Sequence, residues 1–231
     1  GHELLGIAAS DLASILLDRQ QIGLAVELFS EAHQARLEEL GPDHVSTLGV
    51  LVNWGLAEWI RGDLSAAAER MERALPELRK SYPQHPFHGI CLKQLIAVLE
   101  ELERSDREAE LLQEFEQWLV KQGGSSDPQT FRVRVRQAQR RGDWEQAQKL
   151  VKNFESQLSD EPSDYCVAAG LRARLAEMAV ALHPTDPALV TAEHKRVQAW
   201  LQRAEKLGAE IATECQFEPA MRRYFLQNPP D

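Results

Sequence analysis

Cysteine is scarce and badly placed for cross-linking. Cys91, Cys166 and Cys215 are odd in number and far apart, so no disulfide framework is expected and a reducing, cytoplasmic setting is the default. No apolar run reaches the roughly 18 residues that a membrane-spanning helix needs, and no signal-peptide pattern opens the chain. Positive charge is in deficit as well: 26 Lys and Arg against 36 Asp and Glu leave a net charge of −10. Because phosphate neutralisation needs a cationic surface, this balance argues against general nucleic-acid binding, though it leaves room for a local basic patch. Also missing are a glycine-rich phosphate loop, a nucleophile elbow and a paired-carboxylate motif. The first residues are Gly-His rather than Met, as expected of a cloning scar or of a fragment excised from a longer protein.

What remains is globular and helix-prone. The chain has 231 residues, 43% hydrophobic and 27% charged, enough to bury a sizeable core. The bias toward Ala, Glu, Leu, Arg and Gln favours helix. Residues 45–80 set the pattern, with two helices joined at Arg61-Gly62-Asp63. Leu51, Trp54 and Gly55 share a stripe on the first helix, and Ala67, Met71 and Ala74 share one on the second. Gly55 and Ala67 are small where the two helices must approach, and Gly62 suits the left-handed residue that ends a helix.

The unit repeats. Ala13, Gly55 and Ala97 recur 42 residues apart, as do Ala25, Ala67 and Ala109. Gly142-Asp143-Trp144-Glu145-Gln146-Ala147 repeats the frame of Gly62 to Ala67, a few residues early. These positions resemble the tetratricopeptide repeat, whose pattern runs W-x2-L-G-x2-Y, then A-x3-F, then A. The first copy reads Leu12-Ala13-x2-Leu16, Ala25-x3-Phe29, Ala32, and the second Leu51-x2-Trp54-Gly55, Ala67-x3-Met71, Ala74. The third keeps Ala97 and Ala109 but carries Gln113 and Glu116. The fourth keeps Gly142, Ala147 and Val151, with Arg134 and Val135 at the small-residue position. The 42-residue period and the linker Leu40-Gly41-Pro42-Asp43-His44 resemble kinesin-light-chain-type repeats, with Tyr82-Pro83-Gln84-His85-Pro86 as a degenerate copy. In that linker Gly41 ends a helix, Pro42 forbids its continuation and Asp43 is placed to cap the next.

The resemblance implies an all-α, right-handed superhelical array of antiparallel helix pairs. Four pairs are expected over residues 1–160. A divergent fifth pair and a helical C-terminal cap are expected over 161–231, because an open solenoid end exposes core. The expected helices lie near 3–18, 22–39, 45–60, 64–81, 87–103, 106–121, 128–140, 144–158, 164–182, 188–207 and 209–227. The function implied is protein–protein interaction: a scaffold or sensor holding a peptide or partner domain in a concave groove, without a cofactor, nucleic acid or membrane. One alternative is the regulatory region of a larger signalling protein with a kinase or protease effector.

A metal-dependent enzyme is the other alternative. Its ligands would be His85-x2-His88-x2-Cys91, but Pro86 breaks the helical geometry at its start and a tetrahedral site needs a fourth ligand. No metal site is expected there. Glu100, Glu101 and Glu103 read as a solvated face rather than an acid–base pair. The informative feature is basic. Arg132, Arg134, Arg136, Arg140 and Arg141 crowd one helix of an acidic protein, and Arg132, Arg136 and Arg140 at i, i+4, i+8 share a face. The resemblance puts these three on the groove side, where arginine forks suit an acidic partner. It also places Asn53 where peptide-binding repeats carry a backbone-clamping asparagine, with Leu56 and Trp59 beside it.

Overall fold

The computed structural model describes residues 2–124, 127–209, 211 and 218–228. Eleven helices are present among them: α1 (His2–Asp18), α2 (Ile22–Leu40), α3 (Val45–Arg61), α4 (Leu64–Ser81), α5 (Pro86–Glu101), α6 (Ser105–Lys121), α7 (Pro128–Arg141), α8 (Trp144–Glu155), α9 (Pro162–Leu182), α10 (Pro187–Lys206) and α11 (Pro219–Gln227). No strand occurs among the described residues, and no helix there is long and apolar enough to cross a membrane. The chain forms two compact units, Gly1–Trp118 and Leu119–Asp231, with the boundary inside α6. Of the expected C-terminal segment 209–227, residues 210 and 212–217 lie outside the described residues.

The helix pairs are built by one turn used four times. After α1, α3, α5 and α7 a single residue takes the left-handed conformation: Gln20 (φ 60°), Gly62 (φ 96°), Glu103 (φ 55°) and Gly142 (φ 65°). Each turn then closes with the same two backbone bonds, the second reaching five residues back. These second bonds are Gln21 N–H to the Leu16 carbonyl at 2.8 Å, Asp63 to Glu58 at 2.9 Å, Arg104 to Leu99 at 3.0 Å and Asp143 to Ala138 at 2.9 Å. This arrangement occupies the carbonyls that a helix end otherwise leaves bare. Asp63 and Asp143 then cap the following helices, their carboxylates accepting from Ala66 and Gln146 N–H at 3.0 Å. Between pairs the cap differs from expectation. His44, rather than Asp43, caps α3, its Nδ1 accepting from Ser46 N–H at 3.2 Å, and His85 does the same for α5 through Phe87 N–H. A ring nitrogen two bonds beyond Cβ reaches the same amide that an aspartate would.

In the first unit α1 packs on α2, α2 on α3, α3 on α4 and α4 on α5, while α3 also touches α1 and α5. The signature positions are buried as the repeat requires: Ala13, Ala25, Ala32, Ala67, Met71 and Ala74 are fully enclosed. Gly55 lies where α3 and α4 cross closely. A Cβ there would sit 3.0 Å from Met71 Cγ and 3.2 Å from the Ala67 carbonyl oxygen. Gly89 in α5 is tighter still, since a Cβ would overlap the Trp118 ring at 2.4 Å. Trp118 is held in that place by its indole N–H, which donates to the Pro83 carbonyl at 2.9 Å.

In the second unit α7 packs on α8 and α9, α8 on α9, and α9 on α10 and α11. The apolar centre is Phe131, Val135, Ala138, Ala147, Val151, Phe154, Leu171 and Leu175, with Trp144 and Trp200 at its margin. Nearly every residue of α9 from Tyr165 to Ala179 is buried. A helix apolar all round must be covered on all sides, and here α7, α8, α10 and α11 cover it.

Two outcomes are expected. Left-handed backbone costs a non-glycine residue about 1–2 kcal/mol, partly offset by the roughly 0.5–1 kcal/mol of extra chain freedom that glycine loses on folding. Gln20→Gly and Glu103→Gly should therefore each raise stability by several tenths of a kcal/mol, read as an upward shift of the denaturant midpoint. Gly55→Leu should do the reverse, costing about 1–3 kcal/mol by overpacking. An unchanged midpoint for Gly55→Leu would contradict the crossing described above.

Candidate functional site

The expected site residues divide between the two units. On α3 Asn53 and Leu56 are partly exposed, whereas Trp59 is only 1% exposed. Its indole N–H donates to Glu101 Oε1 at 3.2 Å, so Trp59 ties α3 to α5 and presents no surface to a partner. Glu101 is thereby a packing partner and Glu100 is buried, which corrects the reading of a solvated face for these two, while Glu103 is exposed. Burial of Glu100 is tolerated because neighbouring polar groups compensate it.

The suspected metal ligands serve other purposes. His85 caps α5. His88 is buried, its Nδ1 3.1 Å from the Pro83 carbonyl and its Nε2 3.3 Å from Glu114 Oε1. The Cys91 thiol donates to the Met71 carbonyl at 3.4 Å, and burial pushes its pKa up to about 12, which leaves no thiolate for nucleophilic chemistry. No cluster of three metal-binding side chains occurs among the described residues. Arg79 completes this corner with a two-pronged contact to Glu114 at 2.8 and 2.7 Å. Burial pushes the Glu114 pKa up, but the Arg79 hydrogen bond and charge, with those of His88, outweigh it and hold the carboxyl below its usual range.

The arginines of α7 lie in the second unit. Asp127 caps this helix, accepting from Gln129 N–H at 2.7 Å, and Pro128 takes the first helical position. Thr130, Phe131, Val133, Val135 and Ala138 face inward, which leaves Arg132, Arg136 and Arg140 half-buried on the flank. Gln139 joins Arg136 to the interior. Its Oε1 accepts from Arg136 Nη1 at 3.0 Å and from Arg174 Nη1 at 3.1 Å, and its amide N–H donates to Glu177 Oε2 at 2.9 Å. Arg223 closes the far side, its Nε and Nη2 donating to Glu177 at 2.6 and 3.2 Å. Glu218 lies between the other two arginines, with Oε1 2.6 Å from Arg174 Nη2 and Oε2 3.8 Å from Arg132 Nε. Helices α7, α9 and α11 are thus joined by one polar network.

Arg174, Arg223, Gln139 and Glu218 were not legible as site residues from their own neighbourhoods. Arg174 did carry a signal. Arg172 and Arg174 interrupt an otherwise apolar helix and are both buried, and a buried guanidinium requires a partner. Two residues apart on a helix, they point to nearly opposite sides. Arg172 takes Glu155 and Glu193, and Arg174 takes Gln139 and Glu218.

The repeat register relates the two candidate surfaces. Leu56 stands six residues before Gly62 and Arg136 six before Gly142, while Trp59 and Gln139 each stand three before. Trp59 reaches from the first helix of its pair to the first helix of the next, and Gln139 does the same toward Glu177. One register position is therefore apolar in the second pair and cationic in the fourth. Asn53 corresponds to Val133, which is buried.

With the period, the turn and the packing in place, the family comparison is decisive for the first two pairs: the model described as tetratricopeptide repeat matches residues 4–78. They are tetratricopeptide repeats. Two crystal structures of nearly identical TPR-like repeats, from a Podosopora anserina protein described as a kinesin light chain, are similar over most of this chain. One, a form carrying a point substitution, has a TM-score of 0.67 at 18% identity and covers 86% of this chain and 95% of that one. The other has a TM-score of 0.61 at 18% identity and covers 88% and 94%. At this identity the likeness shows the fold. No curated protein matches the chain.

The Glu114 corner gives a pH dependence. A carboxyl held below its unfolded value contributes stability that is present above the unfolded pKa of about 4.3 and is lost as pH falls through the lower folded value. In Glu114→Gln the loss of stability relative to the parent should be full at pH 7 and shrink below about pH 4, as followed by thermal melting across a pH series.

Proposed function

We propose that the chain is a protein-interaction module that holds an acidic segment of its partner on the arginine flank of α7. The tetratricopeptide framework supports a protein-interaction scaffold in general. The observation that carries the finer reading is that Arg132 and Arg136 are half-buried yet still reach solvent, in a helix with five arginines and no acid. A protein of net charge −10 gains nothing in solubility from concentrating cations on one helix. Guanidinium groups on a rigid helix lose little freedom on binding and match carboxylates with two donors each. Asn53 and Leu56 are the corresponding candidates on α3, with Asn53 suited to a ligand backbone and Leu56 to an apolar side chain. Three cysteines spaced far apart in sequence suit a reducing, cytoplasmic setting, and there the module would serve as the regulatory region of a signalling protein.

The test uses a fluorescently labelled glutamate-rich peptide and anisotropy across a salt series. Arg136→Ala should raise Kd by roughly tenfold to a hundredfold, from the loss of about 1.5–3 kcal/mol in a charge-assisted contact. It should also flatten the salt dependence. Arg107→Ala is the matched control, because Arg107 lies on another helix and pairs locally with Glu110. Arg79 would serve poorly, since its removal strands Glu114. If Arg136→Ala and the double variant with Arg132→Ala bind as tightly as the parent, the arginine flank is not the site.

A further inference from the structure

We infer that Glu218 is the chain's own occupant of the carboxylate subsite between Arg132 and Arg174, so that its side chain competes with an acidic partner for it. The inference rests on the acidic-partner reading above and concerns how that site is regulated.

Three features carry it. First, Glu218 is the residue at the N-cap of α11, where a carboxylate would ordinarily accept from its own helix. Its side chain makes no such bond and instead turns to Arg174 and Arg132 on two other helices. Second, α9 makes room for it. Gly170 lies under the Glu218 stem, and a Cβ there would come within 3.1 Å of Glu218 Cγ. Third, the fit is imperfect on both sides: Glu218 Oε1, close as it is to Arg174 Nη2, makes no well-aligned hydrogen bond. Glu218 Oε2 stays 3.8 Å from Arg132 Nε, and that buried Nε has no hydrogen-bond partner among the described residues. A carboxylate placed closer would satisfy it, which is what a partner's acidic side chain can do and Glu218, anchored by its own backbone, does not.

Helix α11 is otherwise held by the Arg223–Glu177 ion pair and by apolar contact. Met221 and Ala220 are enclosed against Ala169, Ala173 and Val197. The docking of α11 therefore survives loss of the Glu218 charge, and the subsite can be emptied without removing the helix. A site occupied most of the time from within binds its external ligand more weakly by the fraction left vacant.

The experiment measures the glutamate-rich peptide against the full chain and four variants by anisotropy, with circular dichroism and melting on each. Glu218→Gln should bind about tenfold tighter, as expected if the subsite is vacant roughly a tenth of the time. Glu145→Gln, the same charge change on the exposed face of α8, should change affinity less than about twofold. Gly170→Ala alters no charge but crowds the Glu218 stem, so it should also tighten binding, and it decides the matter if Glu218→Gln fails to fold. Equal gains for Glu218→Gln and Glu145→Gln would reduce the effect to net charge and overturn the inference. Unchanged or weaker binding by Glu218→Gln, with Arg136→Ala still impaired, would overturn the inference and leave the acidic-partner reading standing. If neither the parent nor Glu218→Gln binds the peptide, both fall.

Discussion

A helix cannot reverse direction in two residues unless one of them enters left-handed backbone, and this chain meets that constraint at every hairpin from α1 to α8. The same position and the same five-residue backbone bond serve four times, twice with glycine and twice without. Everything else in the pairs is downstream of that turn. It sets the angle at which the second helix returns, and the angle decides which residues must be small. Gly55 against Ala67 and Met71 is the result. Where the turn carries glutamine or glutamate, the surrounding packing holds a conformation the residue itself disfavours.

The second constraint is electrostatic and acts on α9. This helix is enclosed on all sides and still carries two arginines. Arg172 is met by carboxylates of α8 and α10, and Arg174 by an amide of α7 and the carboxylate at the start of α11, so partnering the two arginines draws all four helices onto α9 with specific contacts as well as apolar ones. Pairs of this kind add little net stability over well-packed apolar residues, but breaking one leaves an uncompensated charge and is expensive. The arrangement selects one way of docking rather than a tighter one. It also explains why the arginine flank of α7 is not a simple solvated face, because Gln139 and Glu177 bind it into the interior network.

Much of this was legible in the residues. Helix ends came within about three residues of the expected positions through α10, because the period, the prolines at helix starts and the Gly-Asp turns are local signals. Ala13, Ala25, Ala67 and Ala147 could be placed at helix crossings from spacing alone. Three things could not. The capping role of His44 depends on a ring nitrogen reaching an amide, which composition does not favour. Trp59 and Leu56 sit three residues apart on one helix, and only the neighbouring α5 decides that the tryptophan is enclosed and the leucine is not. Glu218 meets Arg174 from a distant part of the chain, and no periodicity links a cap residue of one helix to the flank of another.

The two buried thiols have a practical consequence. Cys91 is fully enclosed in the first unit and Cys166 nearly so in the second, and neither is cross-linked. A thiol shut in this way reacts with a soluble reagent only when its surroundings open, so its labelling rate measures the free energy of local opening rather than intrinsic reactivity. With Cys215, which lies outside the described residues, replaced by serine, the chain holds one such clock per unit. Their rates would tell whether the two halves breathe together or apart, without any added probe.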